Sequence, residues 1–479
     1  MSYSKLAVRG TLWSLIQIIV ERLTQTVVFL IAAALLGPHQ FGIAALATAP
    51  AVVMASTLQT GSQLIVRRQA IDEDHLNSIF ALFFLGGFFC AALIWVASVF
   101  LIGWAISFDV CAMLAVSSIA PIVAAVAVVP EGILARNFSY KILAVRKSVG
   151  LLTGGAICCY LALYGWGAWS VVAQVVIAPT VSVVVSIFAA GWRPTAMPDP
   201  KSMRREIRFS LAVVGISAVT QINIRFADVL VGLVASPTAT GVFRVSRTIL
   251  DLATSLFLNP VNNILLPIFS RMGDDRNRMI TTMWRACGIT SLVASIPFVA
   301  SAFSAPFAAP LFFGEGWPEL SEATTLMLLS LPFIAVIVPL QTFLVASGHP
   351  AFALRNNVYQ TLANVTMIAV GAYFGIFWAA AMFSLRCFLG VLALLFAIQR
   401  RFGEIDARDG IKAMSPAILA AVVIAMTGLV SSICGLDLEE RRTAMLLTIS
   451  AVGTYVALST VIFRERLQSV AKLLTMRRS

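Results

Sequence analysis

The chain of 479 residues is 59% hydrophobic and only 12% charged, against roughly half apolar and a quarter charged residues in a soluble globular domain. That composition excludes a soluble core and implies an all-α polytopic membrane protein. The net charge of +12 is explained by basic connections and affinity for anionic lipid, so no nucleic-acid partner is expected.

At about 20 apolar residues per crossing, fourteen transmembrane helices are expected near residues 12–35, 42–64, 78–104, 110–132, 148–165, 169–191, 208–232, 241–266, 282–304, 321–345, 355–374, 377–398, 413–434 and 442–463. The first run is a full bilayer span without a small-residue cleavage site, so it is expected to stay in the mature protein. It carries Ser14, Gln17, Glu21 and Gln25 on one helical stripe, with Arg22 at its shoulder. The second span adds Ser56, Gln59 and Gln63. In the seventh, Ser217, Gln221, Arg225 and Asp228 recur at helical spacing, and in the eighth Arg244, Arg247, Asp251, Ser255, Asn259 and Asn262 do the same. The eleventh adds Asn356, Gln360 and Asn364. Pro50, Pro121, Pro179, Pro260, Pro297, Pro332 and Pro339 fall inside expected spans, where proline removes a backbone hydrogen bond and permits a bend. Trp166, Trp169, Trp317 and Trp378 fall at outer boundaries and read as interfacial anchors.

The connections alternate in charge. Arg67 and Arg68; Arg136, Lys141, Arg146 and Lys147; Arg193, Lys201, Arg204 and Arg205; Arg271, Arg276 and Arg278; and Arg400, Arg401, Arg408 and Lys412 all fall on one side, which the positive-inside rule assigns to the cytoplasm. The intervening links, such as GPHQ and EGWPELSE, carry almost no lysine or arginine, and the tail is basic again. Both termini are therefore expected in the cytoplasm. A weak internal repeat relates "ALLGPHQFGIAAL" to "GLVASPTATGVFRV", matching Gly42 with Gly241. The simplest division is an N-terminal lobe at 1–200 with six spans, a C-terminal lobe at 201–402 with six more, and a helix pair with a basic tail at 403–479. Repeats of this kind let secondary transporters expose a site between lobes alternately to each side.

An arginine at a helix centre costs about 2.5–3.5 kcal/mol on the translocon scale, so it is expected to face a cavity or a partner. Arg22, Arg225, Arg244 and Arg247 outnumber Glu21, Asp228 and Asp251, and Arg355 and Arg386 are also intramembrane. An excess of guanidinium, with its planar donor fork, suits an anionic, phosphate-bearing ligand. Arg22, Arg225, Arg244 and Arg247 are the candidate substrate-binding cations, and Gln59, Gln221 and Asn259 the candidate polar lining. Glu21, Asp228 and Asp251 are candidates for a coupling proton or sodium ion, because intramembrane carboxylates are default relays. The plainer reading makes Arg225 with Asp228, and Arg247 with Asp251, ion pairs one helical turn apart. No catalytic residue, metal ligand or cofactor is indicated. The seven cysteines lie in or beside apolar segments without a CxxC spacing, His39, His75 and His349 are isolated, and no GxxxxGK occurs for ATP.

The chain resembles the polysaccharide-transporter branch, with its Wzx-type flippases, of the multidrug, oligosaccharidyl-lipid and polysaccharide exporter superfamily. The resemblance rests on "LLGPHQFG", "GWGAWSVV", "FADVLVG" followed by "TGVFRVS", "LPIFSRM" and "LFFGEGW", in that order over about residues 5–402. It implies two six-helix lobes around a central cationic cavity that moves undecaprenyl-diphosphate-linked oligosaccharide to the periplasmic leaflet of a bacterial inner membrane. It also implies membrane lipid, the lipid-linked substrate, and polysaccharide polymerase and export proteins as partners, with the chain itself a monomer. At Ala34, Gln40 and Phe243 the chain departs from the family's arginine, acidic residue and tyrosine, so Ala34 receives no site role. The rivals are a multidrug or cation exporter, which wants a net acidic cavity, and an exporter of lipid-linked peptidoglycan precursor. A glycan polymerase is the enzyme among them, and it needs a sizeable outer loop where every expected outer loop here is short.

Overall fold

The computed structural model describes residues 3–464 except 68–71, 103–106, 138, 196–206, 208–213, 216, 219, 220, 222–224, 260–264, 266, 267, 270, 271, 273–275, 318, 348, 403–406 and 435–439. Side chains are described from Arg22 onward, apart also from 67, 102, 276, 350, 351, 353, 354, 401, 402, 407, 408 and 411. Every regular element among the described residues is a helix. Helix α1 (Tyr3–Gln59) holds two of the expected spans and turns at Gly37, where φ is 71° and ψ is 168°. Glycine takes that conformation without strain, and the following Pro38 has no N–H to continue the ladder.

Ten segments among the described residues are long and apolar enough to cross a membrane. The first, Arg22–Val66, holds two expected spans, so together the ten cover all but the seventh, eighth and eleventh. Of the seventh, the stretch α8 (225–234) is described. Helices α9 (Pro237–Phe257) and α13 (Pro350–Phe374) correspond to the eighth and eleventh. Both fall short because of their polar residues, Arg244, Arg247 and Asp251 in one and Arg355, Asn356, Asn357 and Gln360 in the other. A total of fourteen requires these polar helices to cross as well.

The chain divides into two compact units, Met1–Gly241 and Val242–Ser479. In the first, α3 (Glu73–Ile102), α4 (Phe108–Ser117), α5 (Ile119–Arg136), α6 (Tyr140–Leu163) and α7 (Trp169–Ala190) pack with α1, and the short α2 (Ser62–Arg67) packs against α5. Helix α3 starts where Asp72 Oδ1 accepts the His75 N–H at 3.1 Å, with Glu73 and Asp74 placing negative charge at the positive end of the dipole. Its lipid-side surface bears Phe88, Phe89 and Phe100, while α5 buries alanines and valines such as Ala124, Ala125, Val128 and Val129. That distribution is expected where lipid is as apolar as a core and close approach, not hydrophobicity, holds helices together. Gly150 and Gly154 of α6 do the same against α7, since a Cβ on either would come within 2.6 Å of Ala178 atoms. Gln40 Oε1 accepts the Ala168 N–H at 3.3 Å, joining the chain after the first span to the start of α7. The repeat-related glycines are close-packed reciprocally: a Cβ on Gly42 would lie 1.7 Å from the Pro237 carbonyl oxygen, and one on Gly241 2.2 Å from that of Pro38.

In the second unit, α10 (Arg276–Phe313) is packed by α11 (Leu320–Leu328), α12 (Leu331–Ala346), α15 (Ala407–Ile433) and α16 (Arg441–Ile462). Met283, Cys287, Leu340, Phe343, Leu394 and Met414 form one buried cluster, and Phe298, Phe303, Val423, Leu447 and Tyr455 another. The Tyr455 hydroxyl donates to the Leu292 carbonyl at 2.9 Å, fixing α16 to α10. Pro339 lacks the N–H that would bond the Ala335 carbonyl, and the Thr290 hydroxyl lies 2.7 Å from that oxygen. Trp166 and Trp378 are exposed, as anchors should be, but Trp317 is 5% exposed, its ring tilted against Phe313 at 5.4 Å. It closes the end of α10 instead of facing an interface.

Candidate substrate-binding site

Helix α9 is the most sharply two-faced element. Val242, Phe243, Val245, Leu250 and Ala253 are buried on one side, and Ser246 shares a hydrogen bond of 3.0 Å with Thr324 of α11. Arg244, Arg247 and Asp251 follow at helical spacing on the other side, Arg244 half-buried. Arg247 Nε donates to Asp251 Oδ1 at 3.4 Å, and its guanidinium carbon lies 5.0 Å from the ring centre of Phe383 on α14 (Ile376–Phe402). Arg247 Nη1 is buried and meets no acceptor among the described residues. Ser255 donates to its own helix, at the Asp251 carbonyl, so its hydroxyl is satisfied locally.

In the first unit, Arg225 lies 3.8 Å from Asp228, whose side chain is only 4% exposed. Both acid–base pairs at one-turn spacing are thus formed. Arg22 is exposed on α1, Gln59 half-buried at its end, and Gln221 half-buried before α8. Asn259 is exposed just beyond α9, Asp251 is half exposed, and Asn262 and the side chain of Glu21 lie outside the described residues.

One arrangement was missed at the level of sequence. Arg146, read there as part of a basic connection, belongs to α6 and is 7% exposed. Its guanidinium pairs with Glu131 of α5 and donates to Ser182 Oγ at 3.1 Å and Ser186 Oγ at 3.3 Å on α7. The available signals were a lone glutamate in an apolar run and two serines four residues apart in another.

Residues 31–322 match the family described as "Polysaccharide biosynthesis protein". The chain belongs to that family. Among curated proteins, it is 23% identical over 251 residues to the succinoglycan biosynthesis transport protein ExoT of Rhizobium meliloti (strain 1021), covering 52% of this chain and 50% of that one. The chain thus spans about half the length of that relative. In fold it is similar to the lipid II flippase MurJ in an inward closed conformation, with a TM-score of 0.74 at 15% identity over 96% of this chain and 100% of the other. An inward-facing multidrug resistance MATE family transporter of the MOP superfamily gives a TM-score of 0.58 at 14% identity over 79% and 95%. Family and fold agree with the resemblance read from the sequence.

Proposed function

We propose that this polysaccharide biosynthesis protein is a flippase that carries an undecaprenyl-diphosphate-linked oligosaccharide across a bacterial inner membrane for surface polysaccharide assembly. The observation that carries the reading is Arg247, a guanidinium on an amphipathic membrane helix whose buried Nη1 has no acceptor among the described residues and whose carboxylate partner is half exposed. A diphosphate cannot cross hydrocarbon unaided, and fixed guanidinium groups replace its water. Arg22, Arg225, Arg244 and Arg247 hold the diphosphate in this reading. Gln59, Gln221 and Asn259 line the sugar path, while the polyprenyl tail stays in lipid. Glu21, Asp228 and Asp251 are the carboxylates for a coupling proton or sodium ion. The lobes at 1–200 and 201–402 expose the site alternately, with the helix pair of 403–479 appended. The basic connections favour both termini in the cytoplasm, and the chain works as a monomer beside polymerase and export proteins. Succinoglycan transport, the role of the Rhizobium relative, favours an exopolysaccharide precursor as substrate.

Gene deletion followed by mass spectrometry of extracted lipids tests the reading. Complete lipid-linked repeat units are expected to accumulate on the cytoplasmic leaflet, with surface polysaccharide lost. Accumulation of single units on the periplasmic leaflet would instead point to a polymerase, and accumulation of peptidoglycan precursor to that substrate. Alanine at Arg225 and Arg244 is expected to lower export at normal protein abundance; wild-type export would remove these residues from the site.

A further inference from the structure

Arg386 stands well inside the apolar span Ile376–Arg400, and among the described residues no carboxylate pairs with it. Its surroundings are built to hold it. Gly390, one turn further on, lacks the Cβ that would come within 2.5 Å of Gln360 Oε1. The Gln360 amide of α13 therefore lies against α14, its Nε2 donating to the Gly390 carbonyl at 3.1 Å and its Oε1 accepting from Arg386 Nη1 at 3.3 Å. Arg386 Nη2 is 2.9 Å from Cys387 Sγ.

The ring of Phe383 lies 5.3 Å from the Arg386 guanidinium carbon and 5.0 Å from that of Arg247. The two cations are therefore no further apart than those two distances together. Among the described residues, Arg247 Nη1 and Arg386 Nε are both buried without an acceptor, and Asp251 is the carboxylate that pairs with the group. Each guanidinium thus keeps one donor nitrogen without an acceptor, Nη1 on Arg247 and Nε on Arg386, and the surplus positive charge of the pair suits an anion with two oxygen-rich groups.

We propose that Arg386 and Arg247 form a two-fork site for the diphosphate of the lipid carrier, one phosphoryl group on each fork, with Gln360 and Gly390 positioning Arg386. This rests on the reading that Arg247 meets the substrate, and adds a residue and a headgroup preference: a diphosphate spans both forks, whereas a monophosphate occupies one.

The test measures binding of undecaprenyl diphosphate and undecaprenyl phosphate to the purified full chain in nanodiscs. Wild type is expected to prefer the diphosphate. Arg386→Gln is expected to weaken diphosphate binding about tenfold or more, the effect of losing one charge-assisted fork, while monophosphate binding changes less. Arg386→Lys, which keeps charge but not the fork, should fall between. A merely structural role would lower both affinities together and leave the preference intact, which would overturn the proposal. If Arg386→Gln does not yield folded protein, Gln360→Leu, which frees the guanidinium without removing it, is expected to reduce the same preference; an unchanged preference there overturns it equally. Should Arg247→Gln abolish diphosphate binding while Arg386→Gln does not, this inference fails and the proposed function stands. Failure of wild type to bind either lipid would sink both.

Discussion

Arg146 and Arg386 are both guanidinium groups inside membrane helices, and their surroundings differ in kind. Arg146 is neutralised, with Glu131 as counter-ion and two serine hydroxyls accepting from the same Nη1, while its buried Nε meets no acceptor among the described residues. Arg386 is held by an amide oxygen, a thiol and an aromatic ring, none of which carries charge. A buried ion pair neutralises itself and fastens three helices of the first unit, α5, α6 and α7. An uncompensated arginine keeps its charge for something that arrives. Intramembrane position alone therefore does not separate a fastening from a binding group; the counter-ion does.

The largest effect should come from breaking the closed pair on one side. Arg146→Ala leaves Glu131 buried without its cation, at a cost of about 3–5 kcal/mol. Membrane abundance and the thermal midpoint in detergent are expected to collapse. Replacing both partners, Glu131→Leu with Arg146→Leu, should restore most of the loss, since an apolar pair of similar volume is often as stable as the buried ions it replaces. Recovery of folding without recovery of export would reveal a functional part for the pair and blur the contrast with Arg386. Arg386→Leu is expected to do the reverse, keeping or raising the thermal midpoint while lowering export of lipid-linked oligosaccharide. Its removal relieves an insertion penalty of about 2.5–3.5 kcal/mol on the translocon scale, and Gln360 keeps its bond to Gly390. A fall in stability comparable to that of Arg146→Ala would make the two arginines equivalent.

Much of this was legible along the chain, because the bilayer imposes a length and lipid imposes an apolar face. Ten segments stand out on those grounds alone. The pairs Arg225 with Asp228 and Arg247 with Asp251 were legible because both partners share one helix at one-turn spacing. Arg146 was not, since its partners are 15, 36 and 40 residues away on two other helices. Its nearness to Arg136, Lys141 and Lys147 also imitates a cytoplasmic loop. The setting of Arg386 was hidden for a related reason: Gln360 falls 26 residues before it, and the space at Gly390 has meaning only once α13 is packed on α14. Periodicity reports what one helix does to itself; contacts between helices leave little trace in a single sequence.

Thr290→Val supplies the smallest effect and the scale for the others. Its hydroxyl lies 2.7 Å from the Ala335 carbonyl, which Pro339 has left without a backbone donor, and both sites are fully enclosed in the second unit. Valine keeps the shape and removes a hydroxyl that lies 2.7 Å from the Ala335 carbonyl and 2.8 Å from the Ala286 carbonyl of its own helix, so the change measures one neutral hydroxyl donor between membrane helices, worth about 0.6 kcal/mol on average and 1.7 at most in such settings. A small drop in thermal midpoint with normal export is expected, because neither residue belongs to the candidate site. If the loss instead matched that of Arg146→Ala, the second unit would be so sensitive to any polar deletion that stability could not distinguish a fastening from a binding group. A loss within the expected range fixes what an uncharged contact contributes here. Any larger penalty at Arg146 then measures the stranded carboxylate, and an export defect at Arg386 without such a penalty measures the missing ligand.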